Sequence, residues 1–358
     1  MRVNILYCIL ILLMAFSALG LSIGVLMDNG QIPALEKEKY TFTLAHTPVE
    51  ENLQNIEKTF KNLHLAGLSL SKSFQKDQNE EKALNQKLAQ LAKDTSKNKN
   101  LSNTAYEEII ISRLGNAVYR HNGNNSDIMI FKLQKEDLRG YMAKIKLKNS
   151  EALRVTINPP NKPKGEKTAQ AAKRLSGIFA VNGGGFATST KNGSTSLVPL
   201  GNAMVNGQLT APFMPSWNDL AFAGFSKNNK LLGGIYYKEK DLLNSGAWQG
   251  VSFVPVLVKN WQPQPIPAKW AEARQPRTVL GQYPNGDIFF IVVDGRQSNW
   301  SSGITLEEIQ ILLLHLGVME AFNLDGGGSS AMYYQGKILN KPSDGEQRPM
   351  ATNIVVRP

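Results

Sequence analysis

The chain has 358 residues, of which 42% are hydrophobic and 19% charged, and a formal net charge of +11, so a sizeable core is possible and the surface favours anionic partners. One cysteine, Cys8, excludes an intrachain disulfide and a cysteine-based structural zinc site, and the four histidines lack metal-binding spacing. The lysines are scattered, and no zinc-finger spacing, aromatic RNA-binding motif or basic helix is present, so nucleic acid is not an expected partner.

The first element is an apolar run from Ile5 to Met27 that carries no charge. At about 1.5 Å of rise per residue, that length suits a membrane-spanning helix. Ala18-Leu19-Gly20 offers a small-x-small cleavage site, yet the run continues past it to Leu26 and Met27, so residues 1–28 read as an uncleaved signal anchor. Arg2 lies on one side and Lys37 on the other, which leaves the orientation open on charge alone.

Residues 29–93 read as a helical stalk. Val49, Leu53, Ile56, Phe60 and Leu63 alternate in steps of four and three, and Leu84, Leu88 and Leu91 resume the register. This is the coiled-coil period, and it would make a homo-oligomer. Gly67, Asp77 and Glu81 interrupt the seam, so a helical hairpin or a helix lying on the next domain fits the same pattern. Residues 94–105, beginning DTSKNKNLSNT, are polar and read as a linker.

From residue 106 to 358 the pattern changes to short β-like runs. Ile109 to Ile111, Asp127 to Leu133, Tyr141 to Leu147 and Leu153 to Ile157 are candidate strands, and Thr168 to Leu175 a short helix. Gly177 to Val181 reads as a buried strand ending at Asn182-Gly-Gly-Gly-Phe186. Gly201 to Val205, Leu220 to Phe225, Leu231 to Tyr237 and Val251 to Val258 follow as strands, with turns at Asn206-Gly207 and Asn228-Asn229. Asn260 to Ala268, with three prolines, reads as a stiff exposed loop. Arg277 to Gln282 and Ile288 to Val293 flank a Tyr283-Pro-Asn-Gly286 hairpin. Thr305 to Leu316 has helical spacing, with Glu307 and Glu308 in its first turn, and Thr352 to Val356 is the last strand. Many short strands with a few helices make a single α+β domain with an extensive mixed or antiparallel sheet.

The densest chemistry lies in Ala321 to Met332, AFNLDGGGSSAM. An apolar strand delivers Asn323 and Asp325 to three bare backbone positions and two hydroxyls. Three glycines in a row cost about 0.5–1 kcal/mol each in a regular element, which a fold tolerates where φ is positive or a group approaches the backbone closely. Asn182-Gly-Gly-Gly is a second such corner, and strand ends of this kind commonly carry a site. Ser329 and Ser330 fit either a helix N-cap or a nucleophile. Asp294-Gly295 reads equally as a site or a turn. Trp248, Trp261, Trp270 and Trp300 lie in or beside loops, as packing or as sugar platforms.

These pieces, in order, are Val181-Asn-Gly-Gly-Gly-Phe186, Gln275-Pro-Arg-Thr278, Val292-Val-Asp-Gly-Arg296, Gly303-Ile-Thr-Leu-Glu-Glu308, Phe322-Asn-Leu-Asp-Gly-Gly-Gly-Ser-Ser330 and Arg348-Pro-Met-Ala-Thr-Asn353. Together they resemble the phosphodiester glycosidase family over about residues 106 to 358. Gly185 departs from the family, which often has an aromatic residue there. The resemblance implies hydrolysis of a sugar-1-phosphodiester between the anomeric carbon and the phosphate oxygen, on a surface glycan or envelope polymer. It implies Asp325 as first and Asp294 as second catalytic carboxylate. Arg277, Arg296 and Arg348 would grip the phosphate, because a guanidinium fork matches two phosphate oxygens. Backbone N–H groups of Gly183, Gly184, Gly326, Gly327, Gly328 and Ser329 would add hydrogen bonds, and Asn182 and Asn323 would orient sugar hydroxyls. No cofactor and no metal ligands are implied, although a divalent cation stays open. The expected location is a membrane, with the catalytic domain periplasmic or at the cell surface. Two other readings remain: a non-catalytic glycan-binding or exopolysaccharide assembly protein on the same fold, and a phosphodiesterase that cuts P–O.

Overall fold

A computed structural model describes residues 99–358, apart from 192 and 272. The anchor, the stalk and the start of the linker lie outside the described residues. The first described element is a helix, Lys99–Leu114. It takes in the end of the expected linker and also the expected strand at Ile109 to Ile111. The reason is packing: Tyr106 and Ile110, one helical turn apart, are both fully buried, so the β-branched run follows a period near four and not two.

Strands dominate the rest, and every pairing between them is antiparallel. The central sheet has eight strands, in the order Tyr119–Asn122, Ser126–Lys135, Leu138–Leu147, Ile288–Val293, Arg277–Gln282, Glu320–Leu324, Val256–Lys259 and Gln262–Pro263. Its middle strands are apolar on both sides because both faces are covered. Phe289, Ile291 and Val293 pack with Tyr106, Ile110 and the helix Leu306–His315. Ile288, Phe290 and Val292 alternate to the opposite face and meet two further sheets. Each such buried side chain contributes about 1.5–3 kcal/mol of transfer free energy.

One of those sheets runs Leu231–Gly234, Ala221–Ser226, Ala247–Phe253, Met204–Val205, Gln208–Leu209. The other runs Lys337–Ile338, Met332–Tyr334, Phe179–Asn182, Thr352–Val356, Leu153–Ile157, with the helix Thr168–Arg174 against it. The hairpins expected at Asn206-Gly207 and Tyr283 to Gly286 form, and Asn206 and Gly207 both take positive φ, at 53° and 77°. The expected single strand from Val251 to Val258 is two. Pro255 has no N–H to give a ladder, and the chain changes sheet there, leaving Ala247–Phe253 in one and Val256–Lys259 in another. A protruding hairpin, Phe186–Lys191 paired with Ser194–Pro199, was not expected, although Asn192-Gly193 in the sequence is a hairpin dipeptide.

Candidate active site

Three strands of the central sheet bring their functional residues to one edge. Arg277 opens its strand opposite Val293, which precedes Asp294. On the other side Thr278 pairs with Leu324, which sets Arg277 level with Asp325. A cleft of about 420 Å³ opens at this edge, lined by Asp325, Gly326, Gly327, Gly328, Arg277, Arg296, Arg348, Lys269, Phe253 and Trp270, among others. It gathers four cationic side chains around one carboxylate.

Asp325 follows the strand Glu320–Leu324 directly. Burial pushes its pKa up to about 6, while Ser329, the Arg348 charge and the Gly326 N–H favour the ionised form. The Ser329 hydroxyl leans toward this carboxyl without closing an aligned hydrogen bond. The backbone behind it is fixed: the Asp325 carbonyl accepts from Asn182 Nδ2 at 2.6 Å and its N–H donates to the Gly183 carbonyl at 3.2 Å.

Each of the three glycines has its own reason, and at Gly326 a Cβ would stand 2.7 Å from the Pro276 carbonyl oxygen. Gly327 has φ +59° and lies against the Arg296 guanidinium, where a Cβ would stand 3.0 Å from Nη2. Gly328 is covered by the Arg348–Asp344 ion pair, which leaves no room for a side chain. Gly327–Ser329 forms one turn of 3₁₀-helix and leads into the strand Met332–Tyr334, so Ser329 and Ser330 cap no α-helix; both hydroxyls are buried and unpartnered.

The cations differ in how they are held. Arg277 is buried, with Nη2 donating to the Ala273 carbonyl at 2.9 Å and no carboxylate in ion-pairing range among the described residues. Burial lowers its pKa to about 10, so it stays charged at neutral pH. Arg296 is exposed at φ +60°, and its Nε donates to Gln275 Oε1 at 2.6 Å. Arg348 donates to Asp344 Oδ2 at 2.6 Å. Lys269 stands over the Trp270 ring at 5.5 Å, and Trp270 has its Nε1 buried without a partner.

Several expected site residues make hydrogen bonds within the fold. Asp294 is buried and does not line the cleft. One of its oxygens accepts from Trp300 Nε1 at 2.8 Å, the other from Asn340 Nδ2 at 3.0 Å and the Lys341 N–H at 2.9 Å. Burial raises its pKa against these bonds. Its capacity is spent on tying three loop segments together. Asn182 is fully buried with both polar atoms engaged: Nδ2 donates to the Asp325 carbonyl, and Oδ1 accepts from Thr278 Oγ1 at 2.8 Å and the Ala331 N–H at 3.1 Å. Asn323 donates to the Val254 carbonyl at 2.6 Å, while its Oδ1 is buried and unpartnered. The amides of Gly183 and Gly184 are also spent, on the carbonyl and the hydroxyl of Thr352, each at 3.0 Å. The Gly327 N–H goes to the Pro276 carbonyl at 2.8 Å and the Ser329 N–H to Gly326 at 3.1 Å, so neither is offered to an anion. Glu308 is the helix-start acid it resembled, closing a capping box with Thr305.

Lys269 and Phe253 were not singled out from the sequence. Nothing local marks them; the cleft collects them from the helix Ala268–Ala271 and a strand end of another sheet. The Phe253 ring occupies the space beside Gly185, where a side chain would collide with it. Among the described residues, no three His, Cys, Asp or Glu side chains group as a metal site.

A family model described as phosphodiester glycosidase matches residues 176–357, half of the chain. The chain belongs to the phosphodiester glycosidase family. The SPbeta prophage-derived uncharacterized protein YomE of Bacillus subtilis is 30% identical over 204 residues, covering 53% of this chain and 29% of that protein. N-acetylglucosamine-1-phosphodiester alpha-N-acetylglucosaminidase of Bos taurus is 38% identical over 68 residues, covering 19% of this chain and 12% of its own length. The chain therefore spans less than a third of each of these relatives. In structure, the catalytic domain of the zebrafish enzyme of that name, auto-inhibited by its pro-peptide, superimposes with a TM-score of 0.53 at 22% identity, covering 68% of this chain and 87% of that one. A hypothetical protein from Synechocystis gives 0.51 at 13% identity, covering 68% and 65%. These two likenesses concern the fold. The phosphodiester glycosidase match itself includes Asp325, Arg277, Arg296 and Arg348 within its bounds.

Proposed function

We propose that this phosphodiester glycosidase hydrolyses the bond between the anomeric carbon and the phosphate oxygen of a sugar-1-phosphodiester. The observation that carries the reading is a single carboxylate, Asp325, in a cleft whose other charged walls are Lys269, Arg277, Arg296 and Arg348. A phosphodiester brings one negative charge, and guanidinium groups bind it in paired fashion. Among the described residues, Arg277 and Arg296 are held by carbonyl and amide oxygens and by no carboxylate in ion-pairing range, so their charge is available to the substrate. The phosphate departs as a stable anion and asks little of an acid, which fits a site without a second carboxylate aimed at the bond. Asp325 then meets the anomeric carbon directly, as nucleophile, or through one water, as base, and stabilises the positive charge that develops on the sugar.

The substrate in this reading belongs to a surface glycan or envelope polymer, and the apolar, uncharged run from Ile5 to Met27 holds the enzyme at a membrane with its catalytic domain outside the cytoplasm. The names of the bovine and zebrafish relatives support N-acetylglucosamine as the first sugar to try. The test incubates the full chain with methyl N-acetyl-α-glucosaminyl phosphate, beside Asp325→Asn. Free sugar with methyl phosphate, absent with the variant, is the expected outcome. Release of sugar phosphate means P–O cleavage and ends this reading.

A further inference from the structure

Five of the large apolar side chains that stand exposed come from one region: Met214 at 41% exposure, Trp217 at 40%, Ile235 at 40%, Tyr237 at 69% and Leu243 at 47%. Their chain neighbours point the other way. Phe213, Tyr236 and Leu242 pack into the small core around Met204 and Phe222, so the outward residues form the other side of the same layer. The two main segments are laced together: the Ser216 N–H donates to the Tyr236 carbonyl at 2.8 Å, and the Tyr236 N–H donates to Ser216 Oγ at 3.0 Å. Trp217 is presented by two successive left-handed residues, Asn218 at φ 46° and Asp219 at φ 62°, a costly conformation that the surrounding turn maintains.

This shelf adjoins the cleft. Asn202 clamps the Met214 backbone through two hydrogen bonds, Nδ2 to the carbonyl at 2.7 Å and the N–H to Oδ1 at 2.9 Å. Asn202 is itself bonded twice to Ser252 Oγ, and the next residue, Phe253, is a cleft wall. In the sheet register Ala221 lies opposite Phe253 and Phe222 opposite Gly234, so the segments bearing Trp217 and Ile235 leave the sheet at its Phe253 end. Two strand spacings separate that wall from the far side of the shelf, about 10 Å.

We infer that this shelf is a distal sugar subsite that holds the saccharide chain beyond the phosphodiester, so that the enzyme acts on a glycan and not on an isolated sugar phosphodiester; this rests on the function proposed above. Exposed tryptophan and tyrosine rings offer an apolar face to sugar C–H groups and a polar edge to hydroxyls. A bilayer is the poorer occupant, because exposed Asp219, Glu239 and Asp241 stand among the lysines of the same segments and would face anionic headgroups.

The test uses the full chain, W217A/Y237A and D325N. Both ring truncations are at exposed sites, where the fold is insensitive. On N-acetylglucosamine-1-phosphate joined to chitopentaose, W217A/Y237A should lose about tenfold or more in kcat/KM, with turnover of the methyl phosphodiester unchanged within about twofold. An equal loss on both, or on neither, overturns the subsite. Binding of chitopentaose, followed by isothermal titration calorimetry, is read separately: D325N should bind it and W217A/Y237A should not. Turnover of the methyl compound with no ring-dependent binding leaves the hydrolase and removes the subsite. Ring-dependent binding with no turnover of either compound leaves the subsite and removes the hydrolase. Ring-dependent sedimentation with phosphatidylglycerol vesicles, or a dimer that W217A/Y237A dissolves, assigns the shelf to another partner and overturns the proposal.

Discussion

At the scale of single residues, the site sets stability against chemistry at Asp325. Its pKa of about 6 in the folded chain stands above the ordinary aspartate value, so the folded state binds the proton more tightly than the unfolded one. Stability is therefore greatest below the unfolded pKa and declines as pH rises through the folded one, by an amount on the order of 2–3 kcal/mol. Asp325→Asn removes that cost. It should raise Tm at pH 7, with the gain vanishing near pH 4, while lowering kcat by about 10³-fold, within the range for loss of a general base. In the parent enzyme kcat/KM should rise with pH to a plateau, with an apparent pKa near 6, because the ionised carboxylate is the working form. A profile falling across that range contradicts the assigned role. Asp294 should behave in the opposite manner. Its oxygens hold Trp300, Asn340 and Lys341 and do not face the cleft, so Asp294→Asn should lower Tm and leave kcat per folded molecule within about threefold. A loss comparable to that of Asp325→Asn would return Asp294 to the catalytic set.

At the scale of elements, local signals were readable where the element satisfies itself locally. Thr305 caps the helix Leu306–His315, and Glu308 returns the bond, as the sequence suggests. Thr305→Ala should cost about 1 kcal/mol in urea unfolding and leave kcat/KM unchanged. Arg277–Gln282, Ile288–Val293 and Thr352–Val356 begin and end where the apolar runs do. Three isoleucines in a row at Ile109 to Ile111 favour a strand, and the burial of Ile110 and of Tyr106, whose ring centroid lies 5.3 Å from that of Tyr283, makes the segment a helix. The site divides similarly. Asp325 and its glycines were visible because their chemistry is written in consecutive letters. The structural duty of Asn182 depends on Thr278, Ala331 and Asp325, all far away in sequence, and a short motif carries no sign of where its donors will go. Lys269 was hidden for the same reason.

At the scale of the whole molecule, the net charge of +11 and a cleft with four cations would act together on the anionic substrate proposed above. Electrostatic steering of this kind weakens as salt shortens the screening length from about 10 Å at 0.1 M to about 3 Å at 1 M. The kcat/KM for a charged phosphodiester should fall steeply over that range, and the slope should be shallower in Arg296→Ala. A neutral aryl glycoside, if turned over at all, should be indifferent to salt.

The bond from Asn182 Nδ2 to the Asp325 carbonyl joins two sheets: Asn182 ends a strand of one, and Asp325 follows a strand of the other. The Asp325 carboxyl thus works as a gauge of the seam between them. A small slip of one sheet on the other would misalign it while every strand kept its own partners. In a rising series of denaturant, turnover should vanish before the far-ultraviolet circular dichroism changes, so the enzyme loses its trade before it loses its shape.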